Sequence, residues 1–219
     1  MLELSLIFAS CLLLKYPQTG DNKVIDFDKI KTIYQFGRNV SLSDIQVLLS
    51  TAKSKSFAPS EYLIKEGAIT KDVFFIRKGL VRAFVINEKG DAITTALRIE
   101  NQLITSPDII LFNQPARAYY QAIEPTDTYR MDYDVLQSII SKNPKLEASR
   151  KYIFQNLMKD AYRRIETFVL LSPEERYIDF VDTNPDLVNR VPDKYIANVL
   201  GITPVSLSRI RKRIAERRK

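Results

Sequence analysis

The stretch that most constrains this chain runs from Val191 to Arg213, VPDKYIANVLGITPVSLSRIRKR. It predicts two short helices broken by a glycine turn. Pro192 stands at the entrance of the first, and Ile196, Val199 and Leu200 recur at helical spacing. Ala197 is small where a crossing helix would approach closely. Gly201 supplies a left-handed stop, Thr203 a cap, and Pro204 a first helical residue whose missing N–H costs nothing. In the second helix Leu207, Ile210 and Ile214 share one face. At about 100° per residue, Val205, Ser208, Arg209 and Lys212 point the other way. A short, capped helix with a small, then basic, outer face is what entry into a DNA major groove requires. A surface helical hairpin with a solvated basic face is the plainer reading, but it gives turn, cap and charge no reason to agree.

Charge sharpens the point. The 219 residues carry a net +7, and between Asp186 and Lys219 nine bases face three acids, which leaves the remainder almost neutral. Positive charge gathered at one end marks a polyanionic partner. The single Cys11 and the absence of histidine exclude a disulfide framework, a His- or Cys-rich zinc site and Ser-His-Asp or Cys-His catalysis within one chain. Glu174-Glu175 open a helix, where the dipole accounts for them, and no glycine-rich phosphate loop is present. No catalytic residue, metal or obligatory cofactor is expected, and the chain does not read as an enzyme.

The segment KYIANVLGITPVSLSRIRKRI resembles the helix-turn-helix of the Crp/Fnr family of bacterial transcription regulators. SPEERYIDFVDTNPDLVNRVP extends the likeness through Glu175-Arg176-Tyr177 and the spacing from Asn184-Pro185 to Val191-Pro192. The resemblance is close over roughly the last fifth of the chain and loose over most of the rest. It implies a cytoplasmic homodimer on a palindromic operator, with RNA polymerase as a further candidate partner. In that frame Arg209 would read a guanine, Val205 a thymine methyl, and Ser208 a base or the backbone. Pro204 occupies a place often held by a polar reader. Lys194, Thr203, Ser206, Lys212 and Arg213 would contact phosphate. The lone cysteine and missing histidine argue against an iron–sulfur or histidine-ligated haem sensor.

Upstream, the apolar run Leu4–Leu14 is too short to span a bilayer and lacks the basic start of a secretory signal. Residues 1–23 read as an extension and linker, with two helical pieces over 24–53. From Phe57 to about Tyr133 the period changes to two. EYLIKE, VFFIR, LVRAFVIN and AITTALR are strand-like runs punctuated by Gly67, Gly79 and Gly90. Such spacing suggests a small all-β barrel or roll, and Lys65–Gly67 with Phe74–Arg82 is similar to the family's cyclic-nucleotide-binding roll. That resemblance implies a Gly-Glu-Leu run about ten residues before an arginine, the glutamate for a ribose hydroxyl and the arginine for a cyclic phosphate. Arg117, next to Ala118, supplies the arginine. The glutamate is missing, with Asp108 the nearest substitute behind Pro107. A cyclic nucleotide is therefore doubtful and the effector unidentified.

A helix is expected over Asp132–Ile140 and a longer one from a cap at Asn143 toward Leu171, with Ile153, Leu157, Asp160, Ala161, Arg164 and Phe168 on one stripe. Its polar interruptions fit a pairing of two copies, and the resemblance places the dimer helix here. Ser172-Pro173 would cap the next helix and form a hinge. The fold class expected is α+β: an N-terminal double-stranded β-helix (jelly-roll-like) sensor over 24–142, a dimerisation helix over 143–172 and a helix-turn-helix domain over 173–219. The alternative is a cyclic-nucleotide-binding regulatory module whose basic tail binds protein; it predicts tight nucleotide binding and sequence-blind DNA affinity.

Overall fold

The computed structural model describes residues 51–142, 144 and 147–217. The extension 1–23, most of the helices expected over 24–53 and the Asn143 cap lie outside the described residues. Eight strands come first: β1 (Lys53–Phe57), β2 (Tyr62–Ile64), β3 (Asp72–Lys78), β4 (Val81–Ile86), β5 (Ala92–Arg98), β6 (Leu103–Ile104), β7 (Tyr119–Ala122) and β8 (Thr126–Asp132), with a short helix α1 (Pro107–Phe112) between β6 and β7. Helices then follow: α2 (Tyr133–Lys142), α3 (Glu147–Leu170), α4 (Pro173–Thr183), α5 (Leu187–Arg190), α6 (Asp193–Leu200) and α7 (Pro204–Arg217).

The strands form two four-stranded antiparallel sheets, β1-β8-β3-β6 and β2-β7-β4-β5, closed face to face as a jelly-roll-like sandwich. Alternation fills the space between them. Phe57, Ile64, Phe74, Ile76, Val81, Ala83, Ile104, Tyr120 and Ala122 make one buried cluster, with Phe57 edge-on to Phe74 at 5.8 Å between ring centres. The α+β class and the roll stand as expected.

Three local expectations need correction. Lys53 lies in a strand rather than at the end of a helix; KSKSF is exposed at four of its five positions and carries no apolar alternation to announce itself. It is a polar edge strand paired only with β8. Pro107 does not merely restrict the loop: it opens α1, where its fixed φ suits a first turn. The four-residue α5 has too few turns to leave a periodic signature.

The hairpin between β3 and β4 turns on Gly79, at φ +113°, where an added Cβ would lie 2.7 Å from Thr126 Cα and 2.8 Å from the Pro125 carbonyl. Both neighbours are backbone and cannot step aside. Gly79→Ala should lower stability by more than about 2 kcal/mol, read as a shift of the urea midpoint at unchanged slope; an unshifted midpoint would mean that the turn re-forms without strain.

Candidate nucleic-acid interface and sensor segment

The site at the C-terminal end is built from α4 outward. Ser172 and Glu175 form a reciprocal capping box: the Glu175 carboxylate accepts from the Ser172 N–H at 2.8 Å, and the Ser172 hydroxyl accepts from the Glu175 N–H at 3.4 Å. Arg176, buried behind this cap, donates to the carbonyls of Leu200 (3.0 Å) and Leu171 (2.8 Å), satisfying the open end of α6. Gly201 ends α6 at φ 67°, and the Thr203 hydroxyl accepts from the Ser206 N–H at 3.1 Å to start α7. Leu207 and Ile210 are 0% and 3% exposed and pack onto Ile196, Ala197 and Leu200. The opposite face of α7 therefore points to solvent.

That face holds Val205, Ser208, Arg209 and Lys212, all exposed, with Val205 62% exposed. Thr203 and Pro204 lie at its start, and Lys194 stands on α6 with its ammonium 5.0 Å from the Tyr195 ring. Arg209 makes no ion pair among the described residues. Lys212 has only a loose contact of 3.9 Å to Glu216, which in water is worth about 0–1 kcal/mol and is easily exchanged.

Other bases of this end already pair with carboxylates of the chain. Arg213 donates to Glu174 at 3.0 Å, and Arg217 pairs with the same carboxylate, tying α7 to α4. Hydrogen bonds from Arg213 lead the causes that hold the Glu174 carboxyl below its ordinary range. Arg213, expected at phosphate, is thus paired at the surface with a carboxylate 39 residues away in sequence. Arg211 spans Asp193 (2.8 Å) and the Tyr177 hydroxyl (3.2 Å). Arg190 reaches Glu100 and Glu124 on the roll. A sequence count of bases cannot see these partners, because they are distant in the chain.

The sensor segment between β6 and β7 brings Asp108 and Arg117 together, but onto each other. Asp108, its side chain 11% exposed, accepts from Arg117 Nε at 2.7 Å and from the Arg117 N–H at 3.2 Å. Ala118 packs on the roll core. Asp108 thus accepts from the Nε and the main-chain N–H of Arg117, whose side chain is otherwise 82% exposed. No glutamate stands in its place.

Most of the stripe expected at a dimer seam is engaged within the chain. Leu157 packs on Leu136 and Ile140 of α2, Asp160 accepts from Arg98 of the roll at 2.6 Å, and Arg164 donates to the Val199 carbonyl at 3.3 Å. Phe168 lies under Arg164 and Arg176, each 4.7 Å from its ring. The Ile153 side chain lies outside what is described. Of the five whose side chains are described, Ala161 alone makes none of these contacts. The open apolar stripe falls one position on: Phe154, Met158, Tyr162, Ile165 and Val169, between 47% and 73% exposed. The steps of four, four, three and four residues keep these five on one side over about 22 Å. Periodicity alone leaves this choice open, since both stripes are helical and only the roll's position decides between them.

Among the described residues no group of three or more His, Cys, Asp or Glu side chains gathers as for a metal, and no helix is long and apolar enough to cross a membrane. Residues 54–143 match the cyclic nucleotide-binding domain family. The chain is 25% identical over 129 residues to the anaerobic regulatory protein of Pasteurella multocida, covering 59% of this chain and 46% of that one. It is 25% identical over 169 residues to the fumarate and nitrate reduction regulatory protein of Vibrio cholerae, covering 72% and 67%. The match thus spans about half the length of the first of these relatives. In fold it is similar to FixK2 from Bradyrhizobium japonicum, with TM-score 0.66 at 16% identity over 76% of this chain and 85% of that one. Both of these curated relatives are regulatory proteins by name.

Glu100 gives this region a pH signature. Burial pushes its carboxyl up, but hydrogen bonds from Arg190 and the Gly79 N–H outweigh that and hold it below the ordinary range. Its contribution is then present above the unfolded carboxyl pKa of about 4.3 and is lost as pH falls through the lower folded value. Glu100→Gln should cost stability at pH 7 and little at pH 3 in paired urea titrations; a difference that grows on acidification would contradict the pairing.

Proposed function

We propose that this chain is a sequence-specific DNA-binding transcription regulator that works as a homodimer on a palindromic operator. The observation that carries the reading is the outer face of α7. On a capped helix held by a buried apolar seam, Val205, Ser208 and Arg209 are exposed, and Arg209 makes no ion pair among the described residues. A bidentate arginine is the commonest reader of guanine. Thr203, Pro204, Ser206, Lys194 and Lys212 flank it as phosphate or positioning contacts, while Arg213 ties α7 to Glu174 of α4. The open stripe of α3 supports pairing with a second copy, since five large apolar side chains along one helix face are costly to leave in water. A dimer would set the two α7 helices about one DNA turn apart. The domain divisions follow the same reading: roll to residue 142, dimer helix to 172, DNA-binding domain beyond. RNA polymerase is a candidate further partner. The effector is not a cyclic nucleotide in this reading, because Asp108 already holds Arg117.

The second reading, a cyclic-nucleotide module with a protein-binding tail, is favoured only by the domain-family match over 54–143. Millimolar cyclic AMP or cyclic GMP separates the two. At one hundred times its dissociation constant a true ligand adds about 2.7 kcal/mol and raises the melting temperature by several degrees. We expect no shift; a clear shift would restore the nucleotide reading.

For the DNA reading, Arg209→Ala should cost roughly 1–3 kcal/mol of discrimination between operator and random duplex. Lys212→Ala should weaken both and reduce the salt slope by about one. Fluorescence anisotropy over a salt series measures both quantities, and unchanged discrimination in Arg209→Ala would sink the assignment. Ile165→Asp should convert the dimer to a folded monomer in sedimentation equilibrium; an intact dimer would place the interface elsewhere.

A further inference from the structure

Arg190, at the end of α5, grips two carboxylates of the roll. Nη2 donates to Glu100 Oε1 at 2.9 Å and Nη1 to Glu100 Oε2 at 3.1 Å, while Nη2 also reaches Glu124. Glu100 Oε1 in turn accepts from the Gly79 N–H at 2.9 Å, so the β3–β4 turn is part of the same knot. These side chains are 28%, 30% and 32% exposed, partly withdrawn from solvent screening.

The knot sits beside an apolar contact between roll and DNA-binding end. Leu80 and Leu97 share one buried cluster with Leu187, Val191, Ile196 and Leu200. Apolar contact is non-directional and tolerates sliding. An arginine fork fixed by two carboxylates does not. A second directional contact lies nearby: the Thr94 N–H donates to Asn198 Oδ1 at 3.1 Å, from β5 to α6. The two carboxylates also flank the sensor segment. Glu100 lies just before β6 and Glu124 just after β7, and the Asp108–Arg117 pair lies between them.

We propose that Arg190 is a positioning residue: by holding both flanks of the sensor segment it fixes the orientation of α7 on the roll, and through it the spacing at which a dimer accepts two half-sites. The proposal rests on the DNA-binding reading above. It gives Arg190, which lies away from the outer face of α7, a role in specificity without contact to a base.

The test uses the full chain with Arg190→Met, which keeps the stem and removes the donors, and with Glu100→Gln/Glu124→Gln in case the first does not fold. Amide exchange reports docking. Thr94 should exchange about tenfold faster in either variant while Phe74 in the roll core keeps its protection. Unchanged Thr94 protection overturns the latch. Selection from a random double-stranded DNA pool reports spacing. Wild type should enrich paired half-sites at one spacing, and the variants the same half-sites at several. Loosened Thr94 with an unchanged single spacing overturns the positioning role. Failure of wild type to enrich any paired half-site overturns the DNA reading itself, and the positioning role with it, whatever Thr94 does.

Discussion

The arrangement depends on one apolar seam. It starts at Leu80 and Leu97 on the roll, passes through Ile196 and Leu200 of α6, and ends at Leu207 and Ile210 of α7. Each of these six side chains is at most 9% exposed. At about 1.5–3 kcal/mol for a fully buried aliphatic side chain, the seam outweighs the exposed ion pairs around it, worth about 0–1 kcal/mol each. Burial therefore decides that α7 packs inward on one face, and what remains outside is the face with Val205, Ser208 and Arg209. The ion pairs decide something narrower, the angle at which that face is held.

This divides the arginines into two kinds of work. Arg176, Arg190, Arg211 and Arg213 are bound within the chain, to helix-end carbonyls or to carboxylates on other elements. Guanidinium suits such places because it stays charged and offers several donors in a fixed fork. Arg209 remains on the outside. A basic end is thus less a measure of how much phosphate the protein can meet than of how its small helices are pinned together. The sensor segment follows the same logic: Asp108 against Arg117 is an internal answer to a charge that a ligand would otherwise answer.

What could be read from the residues follows from how local the cause is. Gly201, Thr203 and Pro204 act within a few residues of themselves, and their turn and cap appear where the sequence placed them. Strands bounded by turn residues were legible too, AITTALR to the residue. The polar edge strand KSKSF was not, because its pairing with β8 leaves no mark on its own pattern. Which stripe of α3 is open was equally hidden: Asp160 is drawn to Arg98, 62 residues earlier, and Leu157 to α2, and such partners exist only once the chain is folded. The partners of Arg213 and Arg190 were hidden for the same reason. They lie 39 and 66 to 90 residues away.

The central claim is that two copies of α7 read a two-fold operator through Arg209. Guanine-N7 methylation protection on a duplex selected by the protein tests it most directly, since N7 lies in the major groove where Arg209 would bind. The account predicts two protected patches on one face of the duplex, about 10 base pairs between centres or a multiple of that, with the same guanine in each patch losing protection in Arg209→Ala. A single patch, or protection indifferent to residue 209, would contradict it.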